Sequence, residues 1–385
     1  MRGTAMAGAD MEALRDRVSE LASGMIGSGA TAGLAVRVHS RGIPFFKGAW
    51  GFARNEGSER EPMEEGTYFD LASLTKIFTA TAIMRLASLG AMGIDATLRD
   101  VLFPRHRSDR DINVPPLILG KLGRITVRDL MLHSSGLHYW HPFYASGKTG
   151  FYDILEEVVR RYPPAEGTVY SDLNFMILGK AVEVAAGQAF DLAMRDIVFG
   201  PLGLAGPRFG HPKIAVEANA SVAATEFGNR IERGMVEALG LGYSGWRDEA
   251  RAIRGEADDG NCRYYFDGVA GHAGIFARAE DVCALGDLYS GPAARAARGY
   301  DGFLAEEFAR GAGLDRGAGR GLGFQTGDLY PRGGFGHSGF TGTWLYVNPG
   351  AELSLAVLTN RLHTGSPVNI NGWRKRFAEL FLEYA

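Results

Sequence analysis

The order of apolar and polar positions predicts a chain whose two ends share one plan and whose middle follows another. Between Asp10 and Ile26, Met11, Leu14, Val18, Leu21 and Met25 recur at helical spacing with charged residues between them, which predicts an amphipathic helix packed on a sheet. Leu34 to His39 and Phe45 to Phe52 read as strands joined by a hairpin turn at Ser40-Arg41-Gly42, and Thr67 to Leu71 as a third, short strand. From Ser73 to Leu89 nearly every face is apolar, which predicts a buried helix stopped by Gly90 and Gly93.

From about Ala96 to Gly260 the pattern changes to helices separated by loops bearing glycine and proline. Ile125 to Leu132 starts with Thr126 as a cap and stops at His133-Ser134-Ser135-Gly136-Leu137; a second helix covers Asp172 to Ala186, and Pro201-Leu202-Gly203-Leu204 closes another. Strands return after Gly260: Thr343 to Val347 and Leu353 to Leu358 flank a turn at Asn348-Pro349-Gly350. Asn369 to Tyr384 is a last helix, with Trp373, Phe377, Leu380 and Phe381 on its apolar side. The elements predict an α/β fold of the α+β type. Residues 1–95 and 265–385 form one antiparallel sheet flanked by the N- and C-terminal helices, and residues 96–264 form an inserted all-helical region.

Composition narrows the function classes. A formal net charge of −3 over 385 residues gives no attraction to nucleic acid or an anionic membrane. The 54 glycines imply many tight turns and close backbone approaches. Two cysteines, Cys262 and Cys283, form no disulfide framework and permit one bridge at most. No apolar run approaches the roughly 20 residues that span a bilayer, and Met1 to Asp10 lacks the apolar core of a secretory leader. The expectation is a soluble protein, extracytoplasmic if a leader was trimmed and cytoplasmic otherwise. His133, His138 and His141 suggest a metal, but no nearby carboxylate or cysteine completes a site, so none is expected.

The candidate chemistry begins at Ser73-Leu74-Thr75-Lys76. Residues three apart share a helix face, so Lys76 can reach the Ser73 hydroxyl, and a first-turn serine lies beside unpaired backbone N–H groups. Alone the pattern is weak, because a capping serine followed by a solvated lysine is common. Two further stretches, Tyr170-Ser171-Asp172 and His337-Ser338-Gly339, follow in a fitting order. A Ser-His-Asp hydrolase is excluded by the absence of any Gly-x-Ser-x-Gly elbow.

Five stretches together resemble the superfamily of serine β-lactamases, penicillin-binding proteins and D-alanyl-D-alanine carboxypeptidases, in particular its class C β-lactamase-like and esterase-like branch. They are Phe69 to Thr79, Ile125 to Leu137, Tyr170 to Phe175, Val269 to Phe276 and Gly336 to Gly342. The resemblance implies acyl transfer to Ser73, with Lys76 and Tyr170 sharing the base role and no cofactor. It implies an oxyanion held by the N–H groups of Ser73 and Phe340, on a sheet-edge strand that brings His337, Ser338, Gly339 and Phe340 to the substrate. The substrate is then a small molecule or peptide.

Two departures from the family pattern bear on mechanism. Asp172 replaces an asparagine and favours the ammonium form of Lys76, which shifts the base role to Tyr170. His337 replaces a lysine and is largely neutral at pH 7, which weakens capture of a carboxylate and favours an esterase or a peptidoglycan-type peptidase over a β-lactamase. A catalytically weak penicillin-binding or partner-binding protein is the alternative; Ser73, Lys76 and Tyr170 standing together argues against it. His272, between glycines, reads as packing. Tyr139, Trp140, Phe143 and Tyr144 read as an apolar wall of the cleft.

Overall fold

Alternate residues of the central strands face two different cores, and this sets the layers. The computed structural model describes residues 8–103, 116–210 and 220–385. The main sheet is built from β1 (Gly33–Ser40), β2 (Ile43–Glu56), β3 (Glu59–Pro62), β7 (Phe335–Ser338), β8 (Trp344–Asn348) and β9 (Leu353–Thr359). Its order is β3-β2-β1-β9-β8-β7, with every neighbouring pair antiparallel. Leu34, Val36, Val38, Trp344, Tyr346, Leu355 and Val357 share a core with the terminal helices Gly8–Gly27 and Asn371–Tyr384. Ala35, Leu345, Val347, Ala356 and Leu358 belong to the other core, against the helix Ala279–Ser290. Period-two alternation with both faces apolar is what a strand buried on two sides requires.

The α+β class and the flanking helices agree with the sequence. Arg41 and Gly42, with φ of 54° and 74°, form the two-residue turn between β1 and β2, a conformation that matches strand twist. Thr126 caps Val127–Met131 in a reciprocal box, its Oγ1 accepting from Asp129 N at 3.1 Å while Asp129 Oδ2 accepts from Thr126 N at 2.9 Å. Gly90, at φ 71°, follows the helix Thr75–Ser88, and Gly187, at φ 67°, ends Asp172–Ala186.

One expected strand lies elsewhere. Of Thr67 to Leu71 only Phe69–Asp70 (β4) is extended, and it pairs with β6 (Ile275–Ala277), which also pairs with β5 (Arg208–Phe209), in a separate three-stranded sheet. The helix Ala279–Ser290 has no clear sequence signal, because it is buried on nearly all sides and carries no polar stripe. Residues 96–264 carry the helices Val127–Met131, Phe151–Arg161, Asp172–Ala186 and Arg230–Ala238 among others, together with β5. Residues 104–115 and 211–219 of that region lie outside the described residues. Cys262 and Cys283 are both buried and free.

Candidate active site

Ser73 sits in a single 3-10 turn, Ala72–Leu74, that runs directly into the helix Thr75–Ser88. The α-helix therefore begins two residues later than its apolar pattern suggests. Ala72 has φ 45°, a left-handed conformation that costs energy for a residue with a Cβ. The buried Asp70 carboxylate holds it there, accepting from Ala72 N at 2.8 Å through Oδ1 and from Asp258 N at 2.7 Å through Oδ2.

The sheet edge is fastened to the same turn. Thr341 Oγ1 donates to the Asp70 carbonyl at 2.7 Å and Thr343 Oγ1 to the Leu71 carbonyl at 2.9 Å. Arg374, from the last helix, donates to the Thr343 carbonyl at 3.1 Å. A Cβ at Gly339 would stand 2.1 Å from Thr343 Oγ1 and 2.5 Å from the Leu71 carbonyl oxygen, so this crossing requires glycine. Gln325 pairs with Gly336 and its side chain accepts from Ser338 Oγ at 3.2 Å, which holds β7 at the rim.

Lys76 is fully buried one turn after Ser73. Its Nζ donates to Ser73 Oγ at 2.8 Å and to the His272 carbonyl at 3.1 Å, and it forms an ion pair with Asp172 Oδ1 at 2.7 Å. Tyr170 Oη also donates to Ser73 Oγ, at 2.8 Å. Burial works against the Lys76 ammonium, but Asp172 and Tyr170 together outweigh it and raise the lysine above its ordinary value. Burial raises the Tyr170 phenol, with Lys76 pulling the other way. At neutral pH the pair is an ammonium and a neutral phenol.

Tyr170 is set by its neighbours in the chain. Ser171 N donates to His133 Nδ1 at 3.1 Å, Val169 N to the His133 carbonyl at 3.0 Å, and the His133 and Tyr170 rings lie 4.7 Å apart. Asp172 opens the helix Asp172–Ala186 with its N–H on the Tyr139 carbonyl at 3.0 Å. His337 is buried, with Nδ1 2.9 Å from the Ser338 carbonyl and its ring 5.9 Å from that of Tyr170. Burial, with Lys76 and Arg320 adding repulsion, holds its pKa well below the usual histidine range, so it is neutral. His272 enters the site through its carbonyl; its ring pairs with Asp259 Oδ1 at 2.9 Å.

The expected aromatic wall is mostly elsewhere. Trp140 faces the cavity, but Phe143 is in the core, Tyr144 donates to Glu232 Oε1 at 2.8 Å within an aromatic cluster, and Tyr139 is exposed. A 3-10 turn over Phe143–Ala145, with Phe143 N donating to Asn261 Oδ1 at 2.7 Å, rotates Phe143 inward. His133, His138 and His141 diverge: His138 stacks on Tyr162 at 3.7 Å, and His141 packs edge-on to Phe143. Among the described residues no group of three His, Cys, Asp or Glu is arranged to hold a metal.

Ser73, Tyr170 and Phe340 line two cavities at once. One, of about 190 Å³, is walled by Trp140, Asp172, Glu226, Glu232, Asp258 and Asp259. The other, of about 460 Å³, carries Gln325, Ser338, Gly339, Arg361 and Arg374. Sequence reasoning missed Glu226, Glu232, Asp258, Gln325 and Arg361. They stand singly on elements distant from Ser73, without a spacing that could mark them.

A mixed fold that carries a serine between a lysine and a tyrosine, against the edge strand of an antiparallel sheet, has the architecture of the serine β-lactamases and penicillin-binding proteins. The chain belongs to the β-lactamase family, whose model matches residues 14–379. It is 29% identical over 344 residues to an N-acetylmuramyl-L-alanine amidase of Bacillus subtilis (strain 168), covering 83% of this chain and 74% of that protein. To a putative D-alanyl-D-alanine carboxypeptidase of Escherichia coli (strain K12) it is 26% identical over 349 residues, covering 84% and 76%. A class C β-lactamase from Rhodobacter sphaeroides superposes with a TM-score of 0.62 at 19% identity, over 95% of this chain and 99% of that one. The family and these relatives are hydrolases of the serine β-lactamase fold. Among the described residues no helix is long and apolar enough to cross a membrane.

Proposed function

We propose that the chain is a serine hydrolase that forms a covalent acyl-enzyme on an ester or amide carbonyl. The observation that carries this reading is the Ser73 hydroxyl, which accepts hydrogen bonds from Lys76 Nζ and Tyr170 Oη, each at 2.8 Å. Lys76 remains an ammonium. Tyr170, once ionised, is the base, and its phenolate is favoured by Lys76 and by the Arg320 guanidinium 5.0 Å from its ring centre. Ser73 Oγ attacks the carbonyl as its proton passes to the phenolate, and the oxyanion rests on the N–H groups of Ser73 and Phe340. As the bond to the leaving group breaks, Tyr170 returns that proton to it. Water then attacks the acyl carbonyl, giving a proton to the same phenolate, and Ser73 recovers that proton as the acid departs.

The neutral His337 supplies no charge to a substrate carboxylate, which favours an ester or a peptidoglycan-type peptide over a β-lactam. Incubation with benzylpenicillin and, separately, with p-nitrophenyl acetate tests this when intact protein mass and product are followed together. Ester turnover with an untouched lactam is the expected result. A long-lived penicilloyl adduct on Ser73 would assign a penicillin-binding peptidase instead, and hydrolysed lactam without adduct a β-lactamase. Ester turnover that survives Ser73→Ala would overturn the mechanism.

A further inference from the structure

The acidic residues around the smaller cavity anchor its walls. Glu232 accepts from Tyr144 Oη at 2.8 Å and from Gly260 N at 2.7 Å, and Glu226 accepts from Ile231 N at 3.3 Å, which fastens the helix Arg230–Ala238 against the cavity. Asp172 pairs with Lys76 at 2.7 Å and Asp259 with His272 at 2.9 Å. Burial pushes Glu226 up to about 8 and moves Glu232 and Asp258 the same way, towards neutral acids. The cavity therefore offers a substrate little net charge, and most of the surface it exposes is apolar.

That apolar surface serves the cavity and not a core. Ile231 and Met235 stand four residues apart, so they share a helix face, and both line the cavity. They are half-buried, and neither they nor Trp140 belong to an apolar core among the described residues. An apolar helix face ordinarily gains its stability by packing on a core. Here it meets a space lined also by Ala72, Trp140, Phe340 and the nucleophile Ser73. The volume is about 190 Å³, and an apolar cavity of about 150 Å³ accommodates a benzene ring. The second cavity at Ser73 is larger and more open, and carries Arg361 and Arg374. A departing group needs an exit, whereas the acyl group stays bonded to Ser73 until water releases it, so the enclosed cavity belongs on the acyl side.

We infer that the enclosed cavity is an acyl subsite for a compact apolar acyl group of about six carbons, with Trp140, Ile231 and Met235 setting the length it accepts. The inference rests on the hydrolase reading in taking the occupant as the acyl half of a substrate.

The test is kcat/KM of the full chain on p-nitrophenyl acetate, hexanoate and dodecanoate. Hexanoate should exceed acetate at least about tenfold, because each buried methylene contributes, and dodecanoate should fall below hexanoate because the longer chain does not fit. Met235→Trp should lower the hexanoate-to-acetate ratio at least about fivefold, and the fraction of folded enzyme does not affect that ratio. Ile231→Trp should do the same and serves if the first variant does not fold. The same carbons on the leaving group, in hexyl against ethyl acetate, should bring no comparable gain. A hexanoate-to-acetate ratio near one, dodecanoate equal to hexanoate, a ratio untouched by both substitutions, or a gain on the leaving-group side would each overturn the subsite. Failure of the hydrolase reading is seen separately, as no ester turnover or as turnover that survives Ser73→Ala. Calorimetric binding of hexanamide and acetamide to the Ser73→Ala chain then decides the subsite. Hexanamide binding at least about tenfold more tightly supports it, and equal affinity or no binding overturns it.

Discussion

At Lys76 two effects oppose each other. Full burial favours the neutral amine, while Asp172 at 2.7 Å, with Tyr170 beside it, favours the ammonium and prevails. The same carboxylate adds to the burial that keeps Tyr170 protonated. Acylation through a phenolate must therefore accelerate as pH rises toward the pKa of the Tyr170–Lys76 pair. Asp172→Asn removes the charge that holds both protons in place, and the rising limb of kcat/KM on p-nitrophenyl acetate should move to lower pH by roughly one to two units. A limb that stays where it is, or moves upward, would mean that Asp172 does not set the protonation of the pair.

The segment from Gly271 to Ile275 joins the helix bearing Lys76 to the helix that begins at Asp172. Thr79 Oγ1 donates to the Gly271 carbonyl at 2.7 Å, Lys76 Nζ to that of His272 at 3.1 Å, and Ile275 N to Thr75 Oγ1 at 3.2 Å. On its other side Gly271 packs directly on the helix Asp172–Ala186, where a Cβ would stand 2.2 Å from the Phe175 carbonyl oxygen and 2.9 Å from Gly179 Cα. Gly271→Ala must separate the two helices, and with them Lys76 and Asp172. The expected cost is about 1–3 kcal/mol, or a fall in Tm of roughly 1–4 °C in a chain of this length, with a larger proportional loss in kcat than in KM. Differential scanning calorimetry and ester kinetics on the variant check both. Wild-type values in the two would show that the backbone contact has slack.

Across the whole molecule the raised carboxyl groups and His39 make stability fall as pH rises, while the buried His133, His141, His337 and His363, all held below the usual histidine range by burial, oppose this below about pH 6.5. Burial pushes Asp70 up to about 7 and Glu226 up to about 8, so the native state retains protons that the unfolded chain releases near pH 4, and their contribution to stability falls between about pH 4 and 8. His39, on β1, is fully buried, with Nδ1 2.6 Å from Asp287, whose other oxygen accepts from Ser354 Oγ. Burial opposes its charge, but Cys283, Asp287 and Glu280 outweigh burial and push it up to about 12. A raised histidine stabilises fully below its unfolded pKa near 6.5, and that contribution is lost as pH climbs toward 12. Tm should therefore decline from about pH 7 to 10, where the depressed histidines no longer titrate in either state. His39→Gln should lower Tm at pH 6 and flatten the decline above pH 8, where the carboxyl groups no longer titrate. A parallel decline in wild type and variant would exclude His39 as its source.

What the sequence determined by itself was local. Helical spacing in residues 10–26 and 371–384, the turn at Arg41-Gly42, the Thr126 cap and the reach of Lys76 to Ser73 depend on backbone preference over a few residues, and these are legible in the order of residue types. The five family stretches likewise led to the correct superfamily. Tertiary structure decided the remainder. Tyr170 meets Ser73 across 97 positions, Asp258 N reaches Asp70 across 188, and Thr341 meets the Asp70 carbonyl across 271. The charge on Lys76 and the neutrality of His337 follow from burial and from neighbours brought together by packing. Phe69–Asp70 pairs with Ile275–Ala277 outside the main sheet, and the Asp70 side chain accepts from Ala72 N in the turn that presents Ser73. Periodicity along the chain reports which face of an element is apolar, whereas desolvation and Coulomb interaction act through space, and only the folded chain sets those distances.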